Sequence, residues 1–173
     1  MYNIGDSVVY GANGVMTVID MRDEAFGDSV RSYYVLKAPA DNTGALTFVP
    51  VDNEKLVSAM RPLLTVDEIR ELILSADSIP LLEWVEDNRA RSEQLKKMVE
   101  LGDRAKLISL IKSVCATGVR RIAEGKKNYL ADEAAMRKAE HVLYSEIAAV
   151  VGIAEEDVPK YIADIREAET AFG

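Results

Sequence analysis

The sequence contains one cysteine, one histidine and one tryptophan in 173 residues, and these shortages already narrow what it can do. Cys115, standing alone, excludes an internal disulfide framework and a multi-cysteine zinc site. The longest unbroken apolar run, residues 147–153 with one glycine, is far short of the ~20 residues that a membrane span needs. The first residues, Met1-Tyr2-Asn3-Ile4-Gly5-Asp6, lack a basic stretch followed by an apolar one, so no secretory signal is read and a cytoplasmic location is expected. A phosphate-binding loop is missing too. Gly11-Ala12-Asn13-Gly14 has neither the lysine nor the following helix that such a loop requires.

About half of the residues are apolar, enough for a core in one average domain or two small ones. The formal charge of −8 argues against a general nucleic-acid binder, but the charge is uneven. Residues 1–77 carry 6 basic and 12 acidic side chains, and residues 139–173 carry 2 and 8. Residues 88–138 carry 13 basic and 6 acidic side chains. Local potential decides where a polyanion can approach, so only this middle segment qualifies.

Up to about residue 62 the pattern is that of short strands. Ser7 to Tyr10 is a β-branched run ending at Asn13-Gly14, a strong hairpin signal. Residues 15–21 follow, with Val15, Thr17, Ile19 and Met21 on one face and Met16, Val18 and Asp20 on the other. Residues 23–29, with Gly27, read as a polar connection. A third strand is expected over 30–38, a turn at Asp41-Asn42-Thr43-Gly44, and a fourth strand over 45–49, closed by Pro50. Four or five short strands with frequent turns predict a small, curled antiparallel sheet or barrel.

After Pro62 the period changes. Thr65-Val66-Asp67-Glu68 has the form of a capping box, followed by Ile69, Leu72 and Ile73 on one stripe. A break falls at Asp77-Ser78-Ile79-Pro80. A polar helix is expected over 81–101, stopped by Gly102, with Asp103 capping the next. In that next helix Leu107, Ile108, Ile111, Val114, Cys115, Val119 and Ile122 form the expected buried face. Two further helices are expected, one around Met136, Ala139, Leu143, Ile147 and Val150, and one from about Glu156 with Val158, Tyr161, Ile162 and Ile165 inward. The fold class expected is α+β: a β domain over 1–62 and an all-α bundle over 66–173.

An active site needs convergent groups, such as a nucleophile with its base or a metal with three or more ligands. The only dyad available is Cys115 with His141. The cysteine lies in an apolar stripe, where thiols are usually inert. The acidic run Glu155-Glu156-Asp157 reads as a helix N-terminus rather than a metal site. No enzyme, cofactor or metal is expected, and a small Cys/His enzyme is kept as the remote alternative.

One ordered set of segments is distinctive: Gly5-Asp6-Ser7-Val8-Val9-Tyr10, Asn13-Gly14-Val15, Tyr33-Tyr34-Val35-Leu36-Lys37, Phe48-Val49-Pro50-Val51-Asp52-Asn53 and Met60-Arg61-Pro62-Leu63. In this order and spacing the chain resembles the CarD family of bacterial transcription regulators and the RNA polymerase-interacting domain of the transcription-repair coupling factor. Gly102-Asp103 and the Leu130, Met136, Ala139, Leu143, Glu146 pattern extend the resemblance, more loosely, through the helical half. It implies a Tudor-like N-terminal domain that binds the β subunit of RNA polymerase. It also implies a helical domain that contacts promoter DNA and influences the stability of the open complex.

The edge strand that such a domain offers corresponds here to Leu46, Thr47, Phe48, Val49 and Pro50. A second reading makes Leu46 and Phe48 core. Members of the family wedge a tryptophan into the minor groove at the position that Asn88 occupies here. Trp84 stands four residues earlier, so on a helix it would share the face of Asn88; the alternative is that it packs internally. Arg89, Arg91, Lys96, Lys97, Arg120, Arg121, Lys126 and Lys127 are the expected phosphate-facing cations. The reading that emerges is a non-enzymatic regulator with two partners, the polymerase β subunit and promoter DNA. DNA would be held weakly, by shape and through tethering. The alternative is a polymerase-binding adaptor whose helices recruit another protein. No membrane partner is expected, and a monomer is, with a strand-exchanged dimer as the alternative.

Overall fold

A computed structural model describes residues 1–26, 29–39 and 43–172. The expectations at Gly27 and at Asp41-Asn42 fall outside the described residues. The chain divides into two compact units, Met1–Leu63 and Leu64–Gly173. Among the described residues no helix is long and apolar enough to cross a membrane.

The N-terminal unit is a five-stranded antiparallel sheet. Its strands are β1 (Ser7–Tyr10), β2 (Val15–Phe26), β3 (Ser29–Lys37), β4 (Thr47–Pro50) and β5 (Met60–Pro62), with one turn of helix, α1 (Glu54–Val57), before the last. The spatial order is β4-β3-β2-β1-β5, which leaves β4 and β5 as edges. Val8, Met16, Val18, Tyr34, Leu36, Val49 and Met60 form one core cluster. Tyr2 closes it, with its hydroxyl donating to the Met60 carbonyl at 2.7 Å and its ring edge-on to Tyr34.

Two details differ from the sequence pattern. Strand β2 runs to residue 26, through the stretch expected to be a polar connection, and pairs with β3 residue by residue. This far part is an exposed ribbon held by polar contacts, among them Ser32 Oγ to Asp23 at 2.5 Å and Arg22 to Glu24 at 2.9 Å. A loop-like composition therefore hides a strand. The register also shifts between Val18 and Asp20, which makes Ile19 the extra residue of a bulge and exposes it. The hairpin after β1 passes through one 3-10 turn, Gly11–Asn13, and the positive φ values belong to Gly11 and Gly14, not to Asn13.

The C-terminal unit is all helical: α2 (Val66–Ser75), α3 (Asn88–Leu101), α4 (Arg104–Ala123), α5 (Leu130–Val151) and α6 (Val158–Phe172). The Thr65–Glu68 capping box is formed in both directions, and Asp103 caps α4 after Gly102 ends α3 in the left-handed conformation. Ile69 and Ile73 of α2 pack with Ile147, Ala148 and Val158, and Tyr161, Ile162 and Ile165 close over them. Glu146, nearly fully buried, accepts from Arg104 at 2.6 and 2.8 Å and from the Leu64 backbone at 3.0 Å.

The expected helix over 81–101 is shorter. Residues 79–87 form an irregular strap, and α3 begins at Asn88, capped by the Asp87 side chain. Pro80 forces Ile79 into an extended conformation, which ends the preceding turn. The buried face of α4 is also rotated from the expected one. Leu107, Ser109, Leu110, Ser113 and Val114 are buried, whereas Cys115, Val119 and Ile122 are exposed. The reason lies in the strap, whose backbone groups need polar partners and draw the two serines inward.

Candidate functional site

Two surfaces carry the expected site residues, one in each unit. In the N-terminal unit β4 pairs only with β3, in the register Tyr34 to Val49 and Leu36 to Thr47. Val51 N–H donates to the Ser32 carbonyl at 2.9 Å, continuing the same register. In an antiparallel ladder, hydrogen-bonded pairs alternate. Residues 47, 49 and 51 therefore turn their backbone groups toward β3, and Phe48 and Pro50 turn theirs to the open edge. Pro50 is tolerated because the N–H it lacks would have pointed away from the sheet.

Side chains alternate as well. Val49 is fully buried, whereas Leu46 and Phe48 are exposed, so the core role considered for these two falls to Val49. The Phe48 ring stands edge-on to Tyr33 with centroids 6.1 Å apart, and the Arg22 guanidinium lies 5.2 Å from its centroid. The Pro50 carbonyl accepts from Asn53 N–H at 3.2 Å, so the edge offers the N–H and C=O of Phe48 beside a supported aromatic ring.

In the C-terminal unit the strap carries Trp84, so the tryptophan is not on a helix and does not share a helical face with Asn88. Arg91, expected among the phosphate-facing cations, is 2% exposed. Its Nε donates to Asp132 at 3.0 and 3.2 Å, its Nη1 to the carbonyls of Val85 and Glu86, and its Nη2 to Asn88 Oδ1. Its guanidinium also lies over the rings of Trp84, at 4.8 Å, and Tyr129, at 4.6 Å. A cation buried this deeply, with its donors turned to internal partners, does not face a phosphate, and Arg91 is a structural residue. Arg121 is half-buried, stacked 3.9 Å from the Tyr129 centroid and bonded to the Lys127 carbonyl.

The other cations stay at the surface. Arg89, Lys96 and Lys126 are exposed and paired with Glu93, Glu100 and Glu124. Such pairs are worth little in water, so phosphates can replace the carboxylates at small cost. Lys97, Arg120 and Lys127 are exposed and form no ion pair among the described residues.

The Cys/His alternative finds no geometry. Cys115 Sγ lies 3.4 Å from Met136 Sδ, and His141 Nδ1 lies 2.8 Å from Glu155. Burial of the thiol, and then the Glu140 carboxylate, push the Cys115 pKa up, which is opposite to what a nucleophile needs. Among the described residues, no three His, Cys, Asp or Glu side chains gather as a metal site would.

Comparison with known proteins bears on the first surface most directly. Residues 2–64 match the family model of the CarD-like/TRCF RID domain. The N-terminal unit is a CarD-like domain. The chain is also 21% identical over 164 residues to "Putative transcription factor YdeB" of Bacillus subtilis (strain 168), an alignment spanning 93% of this chain and 99% of that protein. The domain match and the relative's name both point to a transcription-related protein, and the alignment with the relative extends through the helical unit as well.

The sequence missed the part of the site that matters most to Trp84, the Arg91–Asp132 pair. A signal was present. Arg91 sits on the same helical stripe as Leu95, Met98 and Val99, where a charge must find a buried partner.

Proposed function

We propose that this protein regulates transcription by anchoring to the β subunit of RNA polymerase through its CarD-like domain and altering open-complex stability through its helical unit. The observation that carries this reading is the family match over residues 2–64, which falls on the unit that presents β4 as an open edge. A strand of the partner would add to β4 through Phe48 N–H and C=O, with the Phe48 ring setting specificity. Residues 46–50 form this contact.

The helical unit meets DNA with Trp84, the exposed Asn88 beside it, and Arg89, Lys96, Lys97, Arg120, Lys126 and Lys127, while half-buried Arg121 supports the surface. Specificity comes from the polymerase and from DNA shape, since tethering raises the local concentration of weak contacts. The test is the lifetime of promoter complexes of a bacterial RNA polymerase under competitor challenge, with and without the full chain. A changed lifetime that Trp84→Ala abolishes supports the reading. An unchanged lifetime despite binding to the polymerase contradicts the DNA contact.

A second reading, an adaptor that recruits another protein, is favoured by exposed apolar side chains in the helical unit, Val119, Ile122 and Leu130. A binding step to promoter complexes insensitive to salt would select it.

A further inference from the structure

The 79–87 strap has little regular backbone pairing, and five of its backbone groups are met by side chains from α3 and α4. Ser109 Oγ on α4 donates to the Pro80 carbonyl at 2.6 Å, and Lys112 Nζ donates to the Ile79 carbonyl at 2.6 Å. Ser113 Oγ accepts from Leu82 N–H at 2.8 Å while donating to the Ser109 carbonyl at 2.7 Å. From α3, Arg91 Nη1 donates to Val85 O at 2.8 Å and Glu86 O at 3.3 Å, on either side of which stand Trp84 and Asp87. Arg91, Ser109 and Ser113 are all buried.

Burial of two serines and an arginine beneath a nine-residue loop is an expensive way to tie it down. Apolar side chains would hold a loop by area alone, without fixing each peptide. Hydrogen bonds to individual carbonyls and amides are directional, and they fix the orientation of each peptide and so of the side chain between them. The guanidinium goes further, because the plane that bonds the Val85 and Glu86 carbonyls also lies over the indole at 4.8 Å. Asp132, on α5, orients that plane through Nε.

We infer that Arg91 and Ser113 are positioning residues that hold the strap, and with it the Trp84 indole, in the one orientation that meets nucleic acid. The DNA role of Trp84 in this inference rests on the function proposed above; the positioning itself does not. Arg91 thus contributes to recognition without touching the ligand, and Asp132 acts one step further back.

Trp84 is the only tryptophan, so its fluorescence reports the strap alone. Two variants of the full chain test the inference. Arg91→Lys keeps a cation beside Asp132 but loses the planar fork and the stacking. Ser113→Ala removes a strap bond without stranding a buried charge, and so covers the case in which Arg91→Lys does not fold. In whichever variants retain wild-type helix content and binding to the polymerase β subunit, the emission of Trp84 is expected to shift to the red and its quenching by acrylamide to rise. Their effect on promoter-complex lifetime is expected to fall toward that of Trp84→Ala. Emission and quenching unchanged in the folded variants would overturn the inference. If emission shifts but Trp84→Ala itself leaves complex lifetime untouched, the positioning is supported and the DNA role proposed for Trp84 fails.

Discussion

Arg91 and Asp132 face each other 41 residues apart in sequence, with Nε 3.0 and 3.2 Å from the two carboxylate oxygens and both side chains almost wholly buried. The pair joins the first turn of α3 to the first turn of α5. It also accounts for the acidic Asp132 within the basic segment 88–138: its charge is spent on Arg91 and does not repel a polyanion.

Removing one partner leaves the other charged and buried. Asp132→Ala is therefore expected to destabilise the helical unit by about 3–5 kcal/mol, whereas the double replacement Arg91→Met with Asp132→Leu is expected to lose much less. Urea unfolding followed by helical circular dichroism measures both. A double variant as unstable as the single one would show that the pair contributes more than mutual neutralisation.

Thr65 caps α2, and its backbone and side-chain hydrogen bonds hold the Glu68 carboxyl below the usual carboxylate range. Thr65→Ala is expected to lose about 1 kcal/mol, typical of such caps. The Glu68 contribution is complete above the ordinary glutamate pKa and is lost as pH falls through the lowered one. The acid limb of the stability profile is therefore expected to be shallower in Thr65→Ala than in the wild type, as thermal unfolding across an acidic pH series would record.

Cys115 is exposed as a residue, but its thiol pKa is raised, first by burial and second by Glu140. Only the thiolate reacts with iodoacetamide. Alkylation is expected to be slower than that of free cysteine at neutral pH and to accelerate as pH climbs into the raised range. Glu140→Gln is expected to move the profile to lower pH without restoring it fully, since burial remains. Fast labelling at neutral pH would contradict this.

Lys97 and Arg120 are exposed and form no ion pair among the described residues, so each is free for a phosphate. Replacing either by alanine is expected to reduce the salt slope of promoter-complex binding by about 1, the size expected for one lost phosphate contact. Titrations at several salt concentrations read this directly. Unchanged slopes in both variants would remove these residues from the DNA surface.

Features encoded within a few residues were legible in the sequence. The Thr65–Glu68 box, the Gly102 stop with its Asp103 cap and the β4 segment ending in Pro50 each depend on local chemistry. What stayed hidden depends on distant partners. Trp84 and Leu95 have spacings compatible with one long helix, and only Ser109, Ser113 and Arg91 together stabilise a strap instead. Periodicity shows that Val119 and Ile122 share a face with Ile111, but not where the covering helices end. The outer part of β2 is polar because it is solvated on both faces, so it lacks the apolar alternation by which strands are recognised.

Titration of the full chain against the isolated β subunit of a bacterial RNA polymerase tests the anchor at β4. Saturable binding is expected for the wild type and for Phe48→Ala at reduced affinity, with Trp84→Ala indistinguishable from wild type. Phe48→Pro, which removes the outward N–H while sparing the bonds to β3, is expected to abolish it. Binding undiminished in Phe48→Pro, or no binding by the wild type, would contradict the anchor at β4.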